Sequence, residues 1–266
     1  ETSIGDDAMK EISQIKTLET LDLSYSPVTA VGLRELENLP HLRSLTITWI
    51  DPSTVDALLN CPNLEELRLI DSDISTEDVD AVGRLNSLQA LTLGGDWTED
   101  RLLELLPKMQ ELRELRIRSW NPLDNRALLA ASRCLNLERL AILRVEGVTT
   151  EGLTALQNLE RLTALELIGP WDYGINKDGR QEFIYPWAIT PEMLEAIGNI
   201  SQLKELQFAD VDVRPGVFSE ISKMRNLRRL TLPLDEKNME ELEVLGQLSN
   251  LEELTVSWYW PMESVE

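Results

Sequence analysis

The chain has 266 residues, 47 of them Asp or Glu against 25 Lys or Arg, which gives a formal net charge of -22 at pH 7. Such acidity disfavours bulk attraction to nucleic acid or anionic lipid, so neither is an expected partner. No apolar run approaches the roughly 18 residues needed to cross a bilayer, and no basic-then-apolar signal segment opens the chain, so membrane insertion is not expected.

Glu1 to Thr17 reads as the second half of a repeat, because Met9, Ile12, Ile15 and Leu18 match the later series Leu33, Leu36, Leu39 and Leu42; the natural protein is expected to begin earlier. From Leu18 one phrase then recurs: LETLDL (18–23), LRSLTI (42–47), LEELRL (64–69), LQALTL (88–93), LRELRI (112–117), LERLAI (137–142), LTALEL (162–167), LKELQF (203–208), LRRLTL (227–232) and LEELTV (251–256). Successive starts lie 22 to 25 residues apart, except for one step of 41. A fixed period of this size means one structural unit stacked on copies of itself, so a single domain over 1–266 is expected.

Within a repeat the apolar period changes. Leu67 and Leu69 alternate as strand residues do, whereas Val79, Val82 and Leu85 step by three, as a short helix does. Helix starts are marked locally. Ser75 offers a capping hydroxyl with Asp78 three residues on, Thr98 precedes Glu99 and Asp100, and Thr190 precedes Pro191. Parallel strands with helices behind them bury their leucines only against neighbouring repeats.

The outer half of the repeat reads T-x-x-G-L-x-x-L, as in Thr29 to Leu36 and again from Thr149 through Gly152 to Leu153. With the Leu-x-x-Leu-x-Leu phrase this resembles the leucine-rich repeat family over the whole chain, in the helix-backed form similar to bacterial and F-box-type repeats. The resemblance implies a right-handed α/β solenoid with about ten parallel strands on a concave side and short helices on a convex side. It also implies protein–protein recognition without catalysis. The family's strand-exit asparagine is replaced by Ser26, Ile50, Ser72, Asp96, Trp120, Val145, Val211 and Asp235, so a continuous asparagine ladder is not expected there.

The 41-residue step contains an insertion at 169–188. Trp171, Tyr173 and Ile175 share one parity, as do Phe183, Tyr185 and Trp187, and Asn176-Lys177-Asp178-Gly179 between them is turn chemistry. A two-stranded β-hairpin is predicted, either folded onto the solenoid by its aromatic face or projecting as a recognition arm. An EF-hand reading fails, since its first and twelfth ligand positions would be Gly174 and Tyr185.

Catalytic and metal motifs are missing from the sequence. His41 is the one histidine and lies in a turn before a strand. Cys61 and Cys134 sit at equivalent repeat positions three repeats apart and read as small core residues. No zinc set, phosphate loop or serine-nucleophile motif occurs, so neither enzyme activity nor a cofactor is expected.

Two groups of residues mark a binding surface. The seven tryptophans, Trp49, Trp97, Trp120, Trp171, Trp187, Trp258 and Trp260, all fall at strand exits or in the insertion. Tryptophan is a favoured interface anchor, although Trp120 and Trp97 could instead fill the space left by the missing asparagines. Arginine gathers on the strands. Arg116 and Arg118 flank Ile117, Arg139 and Arg144 flank the next strand, and Arg68 shares a row with Arg116. These five are expected to meet on the concave side and to take an acidic segment of a protein partner, with Trp49, Trp120 and Trp258 at the rim. The alternatives are pairing within the sheet to Glu66, Glu114 and Glu166, and glycan recognition by the tryptophan rim.

Overall fold

The structure is a computed structural model that describes residues 5–170, 172–175, 181–185, 187–234 and 239–258. It separates into two compact units, Glu1–Asn121 and Pro122–Glu266. The first contains α1 (Asp6–Ile12), β1 (Thr20–Leu23), α2 (Ala30–Leu33), β2 (Ser44–Ile47), α3 (Pro52–Leu58), β3 (Glu66–Ser72), α4 (Thr76–Val82), β4 (Ala90–Gly95), α5 (Glu99–Leu105) and the start of β5 (Glu114–Asp124). Its five strands are parallel and neighbours in chain order.

The second unit contains α6 (Asn125–Ala131), β6 (Arg139–Gly147), α7 (Thr150–Ala155), β7 (Ala164–Ile168), β8 (Asp172–Ile175), β9 (Gln181–Ile184), β10 (Ala188–Ile189), α8 (Pro191–Gly198), β11 (Glu205–Ala209), β12 (Asp212–Val213), α9 (Val217–Ile221), β13 (Arg229–Leu234) and β14 (Glu253–Trp258). Here β6, β7, β11, β13 and β14 follow one another in parallel. Ten parallel strands, five to each unit, with short helices between them make this an α/β fold of stacked repeats.

The repeated leucines build the core by rows. Leu45, Leu67, Leu91 and Leu115 stand in register, each at most 2% exposed, and Leu23, Ile47, Leu69, Leu93 and Ile117 form the next buried row. Each buried leucine contributes roughly 1.5–3 kcal/mol. The rows continue in the second unit through Leu140, Leu165, Leu206 and Leu230, but on β14 Leu254 and Val256 are 44% and 40% exposed. Among the described residues no helix is long and apolar enough to cross a membrane.

The T-x-x-G spacing has a visible cause. Asp6 in α1 accepts from the Thr29 backbone N–H at 2.8 Å and from its hydroxyl at 2.7 Å. Asn125 in α6 does the same work for Thr149, accepting from its N–H at 2.8 Å and donating to its hydroxyl at 2.9 Å. A Cβ on Gly32 would lie 2.5 Å from Asp6 Oδ1, and one on Gly152 would lie 2.4 Å from Asn125 Oδ1. Glycine is therefore where one helix's capping side chain meets the next helix.

A second ladder runs on the side where strands begin. Asn63, Asn226 and Asn250 each donate a side-chain amide to a carbonyl of the preceding repeat, Pro40, Ser201 and Arg225, at 2.6 to 2.8 Å. On the exit side serine hydroxyls link the repeats instead, Ser72 to the Thr48 carbonyl and Ser119 to the Trp97 carbonyl, both at 2.6 Å. Ser75 caps α4 in a reciprocal pair with Asp78.

In the insertion β8 and β9 pair antiparallel, with Tyr173 opposite Phe183. Trp171, 176–180 and the side chains of Tyr173 and Phe183 lie outside what is described. The base of the insertion is tied to the core. Trp187 is 4% exposed, donates its indole N–H to the Val148 carbonyl at 2.8 Å and packs on Phe208 with ring centroids 6.5 Å apart.

Candidate functional site

The open face of the first unit is set by strand alternation. Along the first part of β5, 114–120, the exposed residues are Glu114, Arg116, Arg118 and Trp120, while Leu115, Ile117 and Ser119 point into the core. Register places Arg68, Thr92 and Arg116 in one row and Glu66, Ala90 and Glu114 in the row before it. Arg68, Arg116 and Arg118 thus share one face of one sheet, and all three are exposed. Arg68 also donates to Glu66 at 2.7 Å, an in-strand pair of the kind that contributes about 0–1 kcal/mol at a surface.

Three aromatic side chains stand in solvent where these strands end. Tyr25 is 68% exposed, Trp49 63% and Trp120 48%. Each is held by fixed neighbours. Thr48, before Trp49, accepts from the Tyr25 N–H at 2.6 Å, and Ile50 after it is 5% exposed. Trp120 sits between Ser119, bonded to the Trp97 carbonyl, and Asn121, which donates to Asp96 at 2.7 Å. The Arg101 hydrogen bond to Asp96, and next that of Asn121, holds its carboxyl below the usual range.

Tyr25 takes a left-handed backbone, φ 55°, and so does Asp71 at 51°, a costly conformation for non-glycine residues. The Tyr25 hydroxyl donates to the Asp71 carboxylate, which raises the phenol's pKa, and the charge of Arg118 acts on it in the opposite direction. Sequence reasoning missed Tyr25. It lies two residues past the last core residue of its strand, Leu23, as Trp49 lies two past Ile47, and that shared position is the available signal.

The space-filling alternative holds for Trp97, fully buried, and not for Trp120. Trp187 likewise is a core anchor rather than a surface residue, and Tyr185 is half-buried. Trp258 closes β14, but its side chain lies outside what is described, as does Trp260.

In the second unit the charged row is Arg139, Ala164, Glu205, Arg229 and Glu253. Arg139 pairs with Glu205 at 3.0 Å, and Glu205 also pairs with Arg229. Burial raises the Glu205 pKa, but the two arginines outweigh it and the carboxyl ends below its ordinary value. By repeat position Arg139 corresponds to Glu114, not to Arg116. Arg144 lies within β6 at a left-handed residue, φ 67°, and is exposed.

Both cysteines are free and buried, and burial pushes the Cys61 thiol up to about 11 and the Cys134 thiol to about 12. Neither has the depressed pKa of a nucleophile.

No family model matches the chain. Over 161 residues it is 32% identical to F-box/LRR-repeat protein 12 of Homo sapiens and 31% identical to that of Bos taurus; the match covers 58% of this chain and 47% of each relative. The chain thus spans about half the length of these curated relatives. Among solved structures it is similar to internalin C2 of Listeria monocytogenes str. 4b F2365, with TM-score 0.51, 19% identity and 95% of this chain and 92% of that one covered. It is also similar to a chain of the TLR13–ssRNA13 complex, with TM-score 0.54, 17% identity, and 94% and 38% covered. At such identities these two likenesses bear on fold alone.

Proposed function

We propose that this chain, a leucine-rich-repeat protein of the α/β solenoid class, is a non-catalytic module that binds another protein on the open face and strand-exit edge of its first unit. One observation carries the reading: the exposed aromatics among the described side chains, Tyr25, Trp49 and Trp120, all lie where strands of one sheet end, and Trp120 ends the strand that carries Arg116 and Arg118. Tryptophan, tyrosine and arginine are the residues on which interface energy concentrates. Backbone held on both sides of each tryptophan lowers the ordering cost of binding. Arginines on a chain of net charge -22 are a local reversal of its field, which favours an acidic segment of the partner.

The relatives of the F-box type and the repeat fold support a binding role over a catalytic one. Arg139 and Arg144 belong to the second unit and rank behind the first-unit arginines, since the exposed aromatics among the described side chains all lie in the first unit. The test is capture of proteins by the immobilised domain and by its Trp49→Ala, Trp120→Ala double variant. A partner held by the parent and released by the folded variant supports the reading; equal retention places the site elsewhere.

The exposure of Trp49 and Trp120 also favours a second reading, in which flat indoles stack on sugar rings. Quenching of tryptophan fluorescence by an oligosaccharide panel, abolished in the same variant, would establish that reading in place of the first.

A further inference from the structure

The proposed protein site has an internal shape that specifies what its occupant looks like. Strand β4 presents only Ala90 and Thr92 on the open face, with Gly94 beyond them buried against β3, between two strands that carry long side chains. On one side stand Glu66 and Arg68 of β3, on the other Glu114, Arg116, Arg118 and Trp120 of β5. The result is a trough one strand wide. Its start is acidic, with Glu66 and Glu114 facing each other across Ala90. Its middle is basic, with Arg68 and Arg116 facing each other across Thr92 and Arg118 two residues farther along. Trp120 stands at the far end, where the bulge of β3 brings its backbone so close that a Cβ on Gly94 would lie 2.7 Å from the Leu69 carbonyl.

We infer that this trough takes an extended segment of the protein partner, running basic, then acidic, then apolar from the start of β4 to its end. Width excludes a helix. The walls are two strand spacings apart, about 9.6 Å between backbones and less between side chains. A helix with side chains is about 10–12 Å across. Spacing fits an extended chain. Alternate residues of a strand repeat about every 6.6 Å, which is the interval separating Glu114, Arg116, Arg118 and Trp120 along β5. An occupant with carboxylates at alternate positions therefore meets Arg116 and Arg118 in turn, and the intervening residue turns toward Arg68. A lysine two residues before the first carboxylate meets Glu114, and an apolar residue two beyond the last meets Trp120. The surface pair of Arg68 with Glu66 is weak enough to be exchanged for a charged occupant.

This inference rests on the proposed protein-binding role of the same face and is tested separately from it. The probe is a labelled peptide, acetyl-Lys-Ser-Glu-Glu-Glu-Ser-Leu-amide, titrated against the folded domain by fluorescence anisotropy. The expected result is saturable binding that weakens at least tenfold in Arg116→Ala, Arg118→Ala and measurably in Arg68→Ala. Binding is also expected to disappear when the Lys and Glu positions are exchanged. A version with both serines replaced by the helix-forcing aminoisobutyric acid should bind at least tenfold more weakly. Equal binding of the helical and flexible peptides would overturn the extended geometry, and equal binding of the charge-exchanged peptide would overturn the polarity. If the peptide fails to bind while a captured protein still depends on Trp49 and Trp120, the trough inference is wrong and the protein-binding role stands.

Discussion

The two units repeat one phrase, yet they place their aromatics differently. In the second, Arg139, Glu205 and Arg229 bind one another along a row, and the aromatics Trp187 and Phe208 are buried where the insertion joins the core. In the first, Arg116, Arg118, Trp49 and Trp120 occupy solvent-facing positions of the same scaffold. The lesson is that repeat position alone does not decide whether an aromatic or an arginine stabilises the fold. For the aromatics, what decides is whether neighbouring side chains or an inserted segment cover them.

The largest effect that would sharpen this contrast is at the tryptophans. Trp187→Ala removes a buried ring and leaves the Val148 carbonyl without its donor, and should cost about 3–5 kcal/mol. Trp49→Ala and Trp120→Ala should each stay within about 0.5 kcal/mol, as surface substitutions do. Urea unfolding of the three variants measures this, and comparable losses would break the distinction.

Next come the glycines, where the units should behave alike because the helix-to-helix device is the same in both. Gly32→Ala and Gly152→Ala each force a methyl against Asp6 or Asn125, with an expected loss of about 1–3 kcal/mol. Thermal melts showing one glycine tolerant and the other not would mean that the scaffolds differ as well as the faces.

A smaller effect concerns pH. The folded-state pKa of Glu205 is lowered, so its contribution is present above the ordinary glutamate range and lost as pH falls through the lowered value. The stability gap between the parent and Glu205→Gln, about 1 kcal/mol or less near neutrality, should therefore close as pH drops below about 4. A gap that persists at pH 3 would show that packing rather than charge holds the row.

Much of the scaffold was legible because periodicity reports burial directly. The rows through Leu67 and Leu69, the cap at Ser75 and the antiparallel arms at 172–175 and 181–184 all lie where alternation or capping chemistry put them. The site was legible only in part. Arg68 and Arg116 share a row because register follows the repeat, but pairing of Arg139 with Glu205 crosses a 66-residue separation that the insertion hides. Tyr25 is not marked by its residue type, because its left-handed backbone follows from the chain's exit turn. The asparagines 63, 226 and 250 precede strand starts, outside the strand-exit position where the family's asparagine is expected.

The relative affinities of two double variants for a captured protein partner, measured by calorimetry at low and high salt, test the binding face most directly. Arg116→Ala, Arg118→Ala should weaken binding at least tenfold, about 1.4 kcal/mol, with less effect at high salt and an unchanged melting temperature. Arg139→Ala, Arg229→Ala should change affinity less than about twofold while lowering stability slightly. Equal affinities for the parent and the first variant, or a larger loss in the second, would contradict the assignment of the binding face to the first unit.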